Sequence, residues 1–262
     1  MSTLLVDIGN TRAKWAYLTR GGVGRQQAVA HEGWIGARIA KHVLGKPGGG
    51  KAKAGRIERV LVVSVAGKRI DRSFALEARR RLGFAPEFFA SQRRVAGVTT
   101  MYAEPWRLGA DRLAGVIGAY HLARKRAVCV ISVGTAMTMD LVDERGRHRG
   151  GVIVPAPNLM VDSLLTQTHG IRRRAQGGAA GRSFFARSTR AAIQQGAMYA
   201  AASVADRAVA EARATLGQSP LVLLTGGAAP TVRKLLQSPH ELVPDLVLRG
   251  LAVIAADGHH DS

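Results

Sequence analysis

Short apolar runs alternate with longer amphipathic stretches along most of the chain, the rhythm of an α/β protein. Residues 3–8 (Thr3-Leu4-Leu5-Val6-Asp7-Ile8) read as a strand, Gly9-Asn10-Thr11 as a tight turn, and the apolar positions up to Leu18 as a strand running back. The layout recurs at 129–142, where an apolar strand leads through Ser132 to Gly134-Thr135 and a return strand closes on Asp140. Further strands are predicted over 60–65, up to Gly150-Gly151, and over 221–224, the last ending in Thr225-Gly226-Gly227. The apolar period predicts helices over 71–82, with Asp71 as N-cap and Gly83 as stop, and over 111–125. In the latter, Leu113, Val116, Ile117 and Tyr120 form a stripe expected to pack between two halves of the molecule. Two more helices are expected over 158–168 and from about Thr189 to Leu216, the second mostly facing the core. An Arg-rich segment, 171–190, lies between them.

Residues 45–56 break the rhythm. Glycines, one proline and four cations leave no apolar face, so an exposed mobile loop is expected. It is not a P-loop, because Ala52 follows Gly50-Lys51 where Ser or Thr would ligate Mg²⁺.

Both hairpins carry chemistry as well as a fold. A turn after a strand can aim backbone N–H groups and the Asn10 and Thr11 side chains at phosphate oxygens, and Asp7 at the strand end can hold a hydrated Mg²⁺. Two such hairpins in one chain of 262 residues imply two related half-domains facing each other across a nucleotide, with a boundary near 115/116 (halves 1–115 and 116–262).

Composition then narrows the alternatives. With 47% hydrophobic residues the chain can fill a core, and no apolar run reaches the length of a membrane span. The N-terminus enters a strand without a cleavable apolar segment, so a cytoplasmic protein is expected. The single cysteine, Cys129, lies inside an apolar strand, which excludes an internal disulfide and argues against a thiolate metal site. The formal charge of +20 raises nucleic-acid binding first. Against it, the cations are scattered, zinc-finger spacing is missing, and 5% aromatic content supplies no stacking platform. Specific nucleic-acid binding is therefore not expected, and solvated helix faces account for much of the Arg excess.

The hairpins together with the TGG turn resemble the acetate and sugar kinase, Hsc70 and actin superfamily. That resemblance implies an α/β fold of two ribonuclease-H-like half-domains with an ATP cleft between them. Residues 102–112, Tyr-Ala-Glu-Pro-Trp-Arg-Leu-Gly-Ala-Asp-Arg, sharpen it. With DIGNT, VGTAMTMD, Gly150-Gly151, the STRAAIQQG segment and TGG in order, the chain resembles type III pantothenate kinases over nearly its whole length. The family implies ATP-dependent phosphorylation of pantothenate to 4'-phosphopantothenate, the first step of coenzyme A biosynthesis, with Mg²⁺ and a monovalent cation (K⁺ or NH₄⁺), in a homodimer.

Carried onto this chain, the resemblance makes Asp111 the general base. It maps ATP phosphate contacts onto Asp7, Ile8, Gly9, Asn10, Thr11, Arg12, Ala13, Lys14 and Thr135. Pantothenate contacts fall on Tyr102, Gly109, Ala110, Asp111, Arg112 and Thr189. Local readings stay open beside these roles. Asp111 suits a helix N-terminus, Thr189 a helix N-cap, Lys14 a solvated strand position, and Asp140 either a supporting carboxylate or a polar strand end. Arg112 and Tyr102 could equally be a surface Arg and a half-buried Tyr.

Two departures stand out. The monovalent-cation ligand of the family is an Asp in the second hairpin, and here that position is Ser132; Pro155-Ala156-Pro157 stands where the family commonly has Pro-Gly. Two other readings are a catalytically inactive, nucleic-acid-associated regulator and a same-fold kinase for another small metabolite.

Overall fold

The structure, a computed structural model, describes residues 2–45, 57–176 and 183–257. Almost all of the expected 45–56 loop, and residues 177–182 of the Arg-rich segment, lie outside the described residues. The chain divides into two compact units, one of Met1–Arg124, Gly146–His148 and Asp245–Ser262, the other of Lys125–Arg145 and Arg149–Pro244.

The first unit opens with β1 (Ser2–Ile8), β2 (Arg12–Thr19), β3 (Gly22–Val23), β4 (Gln27–Ala30) and α1 (Gly36–Leu44). It continues through β5 (Ile57–Ser64), α2 (Lys68–Leu82), β6 (Glu87–Phe88), β7 (Arg94–Val95), β8 (Val98–Thr100) and α3 (Ala110–Leu122). Its main sheet has the order β3-β2-β1-β5-β6, with β4 also paired to β2. β1 is central, antiparallel to β2 and parallel to β5. Leu4, Val6 and Ile8 pack with Ile39 and Val43 of α1 and Phe74 and Ala78 of α2. α3 and the C-terminal helix of the chain pack on strands of the same sheet. Buried on both faces, β1 has to be apolar nearly throughout, which is why its sequence does not alternate.

The second unit holds β9 (Val128–Val133), β10 (Ala136–Val142), most of β11 (Arg147–Pro155), α4 (Pro157–Gln167) and α5 (His169–Arg174). It ends with α6 (Thr189–Leu216), β12 (Leu221–Thr225), α7 (Ala229–Val232) and β13 (Glu241–Leu242). Its strands run in the order β13-β12-β9-β10-β11. Ile131, Val133, Met137, Met139, Val222 and Leu224 meet Ala201, Ala202, Ala205, Val209 and Ala212 of α6 in its core. Alanines on this helix let it lie close to the sheet. The chain then closes with α8 (Leu246–Asp257) in the first unit, where Gly118 of α3 and Gly250 of α8 meet backbone to backbone.

Both hairpins, the Thr189–Leu216 helix and the left-handed stop at Gly83 stand where the sequence predicts them. Elsewhere the structure differs: β5 runs over Ile57–Ser64 rather than 60–65. α2 starts three residues before Asp71, because Gly67 O already accepts from Ile70 N–H and Asp71 N–H. Asp71 is therefore no cap; its Oδ1 accepts a 2.5 Å bond from Ser64 Oγ. α3 ends at Leu122 rather than Lys125, with Arg124 and Lys125 both at positive φ (52° and 61°). Gly150-Gly151 lies within β11 instead of ending a strand, and part of the Arg-rich segment is helical as α5.

Candidate active site

The first hairpin sets Asp7 directly opposite Lys14. Facing pairs on antiparallel strands share a face, so the two side chains meet, with Lys14 Nζ 3.4 Å from Asp7 Oδ2. Asp7 is 5% exposed. Burial pushes its carboxyl above the usual Asp value, the Lys14 charge opposes that shift, and the nearby Asp111 carboxylate adds to it. Asp7 and Asp111 thus lie within electrostatic reach of one another, although the chain separates them by most of the first unit.

At the tip, Gly9 N–H donates to Arg12 O at 3.0 Å, and Asn10, Thr11 and Arg12 are exposed. Ile8 and Ala13 are fully buried, which leaves only their backbone groups for a ligand. Behind the turn stands His31, 3% exposed, with its Nε2 2.8 Å from Gly9 O and its backbone N–H 3.0 Å from Thr11 O.

Asp111 sits in the first turn of α3, where the helix dipole favours a negative charge. Arg112 N–H donates to its Oδ1 at 2.8 Å. Gly109 is the N-cap residue, and a Cβ there would lie 2.8 Å from that same oxygen. Any side chain at 109 would displace the carboxylate. The glycine that opens Gly-Ala-Asp-Arg follows from this.

Arg112 Nη1 donates to Tyr102 Oη at 3.3 Å. Tyr102 is held from below and behind. Its ring stacks on fully buried His148, with centroids 5.8 Å apart and planes at 23°. The Arg93 guanidinium donates to Thr100 O (3.2 Å), Tyr102 O (2.5 Å) and Ala103 O (2.7 Å), pinning the backbone on either side of the ring. A fork that reaches three carbonyls at once suits Arg and not Lys.

In the second unit, Ser132 occupies the place in its hairpin that Asp7 has in the first, two residues before the turn glycine. Its cross-strand neighbours are Thr138 on β10 and Thr225 on β12. Three neutral hydroxyl residues thus stand in a row across the sheet, on the face opposite the α6 core. Gly134 N–H donates to Ala136 O at 2.9 Å, and Thr135 at the tip is exposed, its carbonyl accepting from Ala156 N–H at 3.4 Å. Gly226, with φ +99°, lies so close to Val133 that a Cβ would meet its carbonyl oxygen at 2.3 Å, so only glycine fits the TGG turn. Ala156 is extended (φ −72°), and no left-handed residue is needed there. Asp140 is 2% exposed, and it helps burial push the Cys129 thiol up to about 12, an inert thiol rather than a nucleophile. Thr189 is the first residue of α6, but the N-cap is Ser188, whose Oγ accepts from Ala191 N–H at 3.2 Å.

The first unit therefore gathers Asp7, Lys14 and the Gly9-Asn10-Thr11 turn on one hairpin, and Tyr102, Asp111 and Arg112 around the start of α3. Thr135, Ser132 and Thr189 belong to the second. His31, Arg93 and His148 were not singled out by the sequence, since nothing near them in the chain marks them.

Paired hairpins of this kind, one in each unit, define an α/β fold of the acetate and sugar kinase, Hsc70 and actin class. The fold is similar to that of the ROK hexokinase from Thermus thermophilus (TM-score 0.53, 15% identity, 100% of both chains). It is also similar to the (R)-2-hydroxyglutaryl-CoA dehydratase component A of Acidaminococcus fermentans (TM-score 0.54, 16% identity, 97% of this chain and 96% of the other). Such identities speak for fold alone. Within this class, the chain belongs to the type III pantothenate kinase family, whose sequence model matches residues 3–211. Type III pantothenate kinase from Nitrosococcus oceani is 35% identical over 258 residues, 97% of this chain and 94% of the relative. That from Aromatoleum aromaticum is 37% identical over 259 residues, covering 97% and 98%.

Proposed function

We propose that the protein transfers the γ-phosphoryl group of ATP to the primary hydroxyl of pantothenate, with Asp111 as the base that orients the hydroxyl and accepts its proton. One observation carries this reading: the buried Asp7 beside an exposed turn feels the charge of Asp111, whose neighbour Arg112 holds Tyr102. A phosphate grip, a base and a guanidinium suited to the substrate's carboxylate are thereby collected in one unit. Phosphoryl transfer asks for little more than a clamped polyphosphate, an aligned hydroxyl and balanced charge.

A divalent cation fits this donor set. Two carboxylates within electrostatic reach, with Lys14 as the cation paired to Asp7, suit the few-carboxylate, phosphate-bridging mode of Mg²⁺, with Asp7 reaching the ion through water. Bound with ATP, the ion would neutralise charge on the phosphate oxygens. The monovalent cation of the family fits less well. Ser132, Thr138 and Thr225 supply neutral oxygens where the family has a carboxylate, and we assign no step to K⁺ or NH₄⁺. Thr135 is assigned to ATP, and Thr189 to pantothenate. A homodimer is part of the proposal, supported by the exposed apolar side chains Val152, Ile153, Leu159 and Leu164 of the second unit, which a second subunit would cover. Among the described residues no helix is long and apolar enough to cross a membrane.

The test is ADP release from Mg²⁺–ATP in the presence and absence of pantothenate, with K⁺ and NH₄⁺ both tried. Pantothenate-dependent release is expected. Asp111→Asn keeps the oxygen that accepts from Arg112 N–H, so it should fold normally yet lose about 10²–10⁴-fold in turnover. No pantothenate-dependent release under any of these conditions overturns the reading.

A further inference from the structure

His31 makes two hydrogen bonds to the first turn, 22 residues away from Gly9. A carbonyl oxygen only accepts, so Nε2 carries the proton and donates to Gly9 O, while the backbone N–H donates to Thr11 O. The carbonyls of peptides 9–10 and 11–12 are both drawn toward His31. No peptide among the described residues is cis. A planar trans peptide points its C=O and the following N–H in opposite directions, so the N–H groups of Asn10 and Arg12 face away from His31. Two acceptors of the turn, Gly9 O and Thr11 O, are thus occupied and turned to one side, while the N–H groups of Asn10 and Arg12 are turned to the other. An anion requires that polarity, because a carbonyl swung the other way would set its negative end against a phosphate.

We propose that His31 is a positioning residue for the nucleotide: its imidazole holds the peptide between Gly9 and Asn10 with the N–H outward, and so sets the affinity for the ATP phosphates. This rests on reading the Gly9-Asn10-Thr11 turn as a phosphate grip. The role is specific to the side chain, since the Thr11 bond comes from the backbone and survives substitution. Gly9 is itself half-buried, so its carbonyl can turn to water once the imidazole is gone, and the hairpin, with β1 and β2 fully paired, does not depend on it.

Two variants separate the hydrogen bond from the packing. His31→Leu fills the space and donates nothing, whereas His31→Gln offers an amide N–H in nearly the same place. Val29→Ala, one residue back from the end of β4, controls for loosened packing. ADP binding by calorimetry, without pantothenate, is measured beside the KM for ATP, the KM for pantothenate and kcat. His31→Leu is expected to weaken ADP binding and raise the ATP KM about tenfold, the scale of one hydrogen bond. The pantothenate KM and kcat at saturating ATP should hold, Gln should restore most of the loss, and Val29→Ala should leave nucleotide binding unchanged. Val29→Ala weakening nucleotide as much as His31→Leu, or Gln failing to restore, overturns the proposal in favour of packing. If His31→Leu does not fold, Gln alone decides: wild-type affinity supports the donor role, and a Leu-free loss of tenfold with Gln overturns it. Asn10→Ala separates the two levels. Weaker ADP binding in Asn10→Ala with none in His31→Leu sinks only the role of His31; wild-type protein that binds no ADP sinks the phosphate grip itself.

Discussion

Lys14 Nζ lies 3.4 Å from Asp7 Oδ2 across the first hairpin, whereas the equivalent cross-strand pair of the second hairpin, Ser132 and Thr138, has no charge at all. Two hairpins of one design have thus been given different electrostatics. The charged one lies near the proposed base, and the neutral one has Ser132 at the position that Asp7 holds in the first.

Burial works against the ionised form of Asp7. Its folded-state carboxyl titrates above the ordinary value because burial penalises the anion, so at pH 7 the ionised form destabilises the fold. That penalty is absent below the unfolded value of about 3.9 and complete above the folded one. Asp7→Asn should therefore leave the thermal midpoint of the unliganded protein at pH 7 unchanged or higher, while kcat/KM falls at least about 100-fold. The midpoint difference should shrink as the pH is lowered through 4. Scanning calorimetry across pH beside ADP release checks both; a lower midpoint at pH 7 contradicts the argument.

With Ser132 in place of a carboxylate, turnover should respond weakly to K⁺. Replacing K⁺ with a bulky organic cation at constant ionic strength should change wild-type kcat by less than about twofold, and Ser132→Asp should bring in a several-fold activation by K⁺, since ligand charge sets affinity for hard cations. Strong K⁺ dependence in the wild type would place the cation on other oxygens.

Arg93 braces the backbone around Tyr102, which we assign to pantothenate. Removing its fork frees the carbonyls of Thr100, Tyr102 and Ala103 and loosens the Tyr102 ring. Arg93→Ala should raise the pantothenate KM about tenfold and leave the ATP KM alone. Arg93→Lys should recover little of it, because one ammonium cannot span three acceptors. Equal effects on both KM values would mean a general loss of structure.

Glu77 offers an acid test of α2. Hydrogen bonds from Arg80 and then Arg81 hold its carboxyl at about 2, down from 4.5. A depressed folded value contributes stability above the unfolded value and loses it as the pH falls through the folded one. Glu77→Gln should be less stable than wild type at pH 7, and the two should converge between about pH 4.5 and 2. The Arg80 half of the pair is exposed, so added salt should remove part of the difference, while the bond from Arg81, 8% exposed, should resist it. Urea midpoints at several pH values decide this.

Local rules were enough for much of the molecule. The two hairpins were legible from apolar runs broken by Gly-Asn-Thr and Gly-Thr, and the Ala-rich helix from Thr189 to Leu216 was legible in its extent but not in its facing, since most of its residues lie outside the core rather than in it. The helix start at Gly109–Arg112 was legible in the sequence, and the structure adds a reason for its glycine, the 2.8 Å that a Cβ there would leave to Asp111 Oδ1. Where local rules failed, a competing local bond decided: Gly67 started α2 before Asp71 could cap it, and two positive-φ residues ended α3 early.

Composition, period and turn chemistry thus determine the strands, the helices and the residue types at the hairpin turns, because each depends on neighbours within a few positions. The supports of those turns answer to no such rule. His31 reaches Gly9, Arg93 reaches Tyr102 and His148 reaches Thr100 across 22, 9 and 48 residues. Even the shift of Asp7 depends on Asp111, far along the chain. Hydrogen bonds and charges act through space, and only the folded chain decides which residues come within a few ångströms of one another.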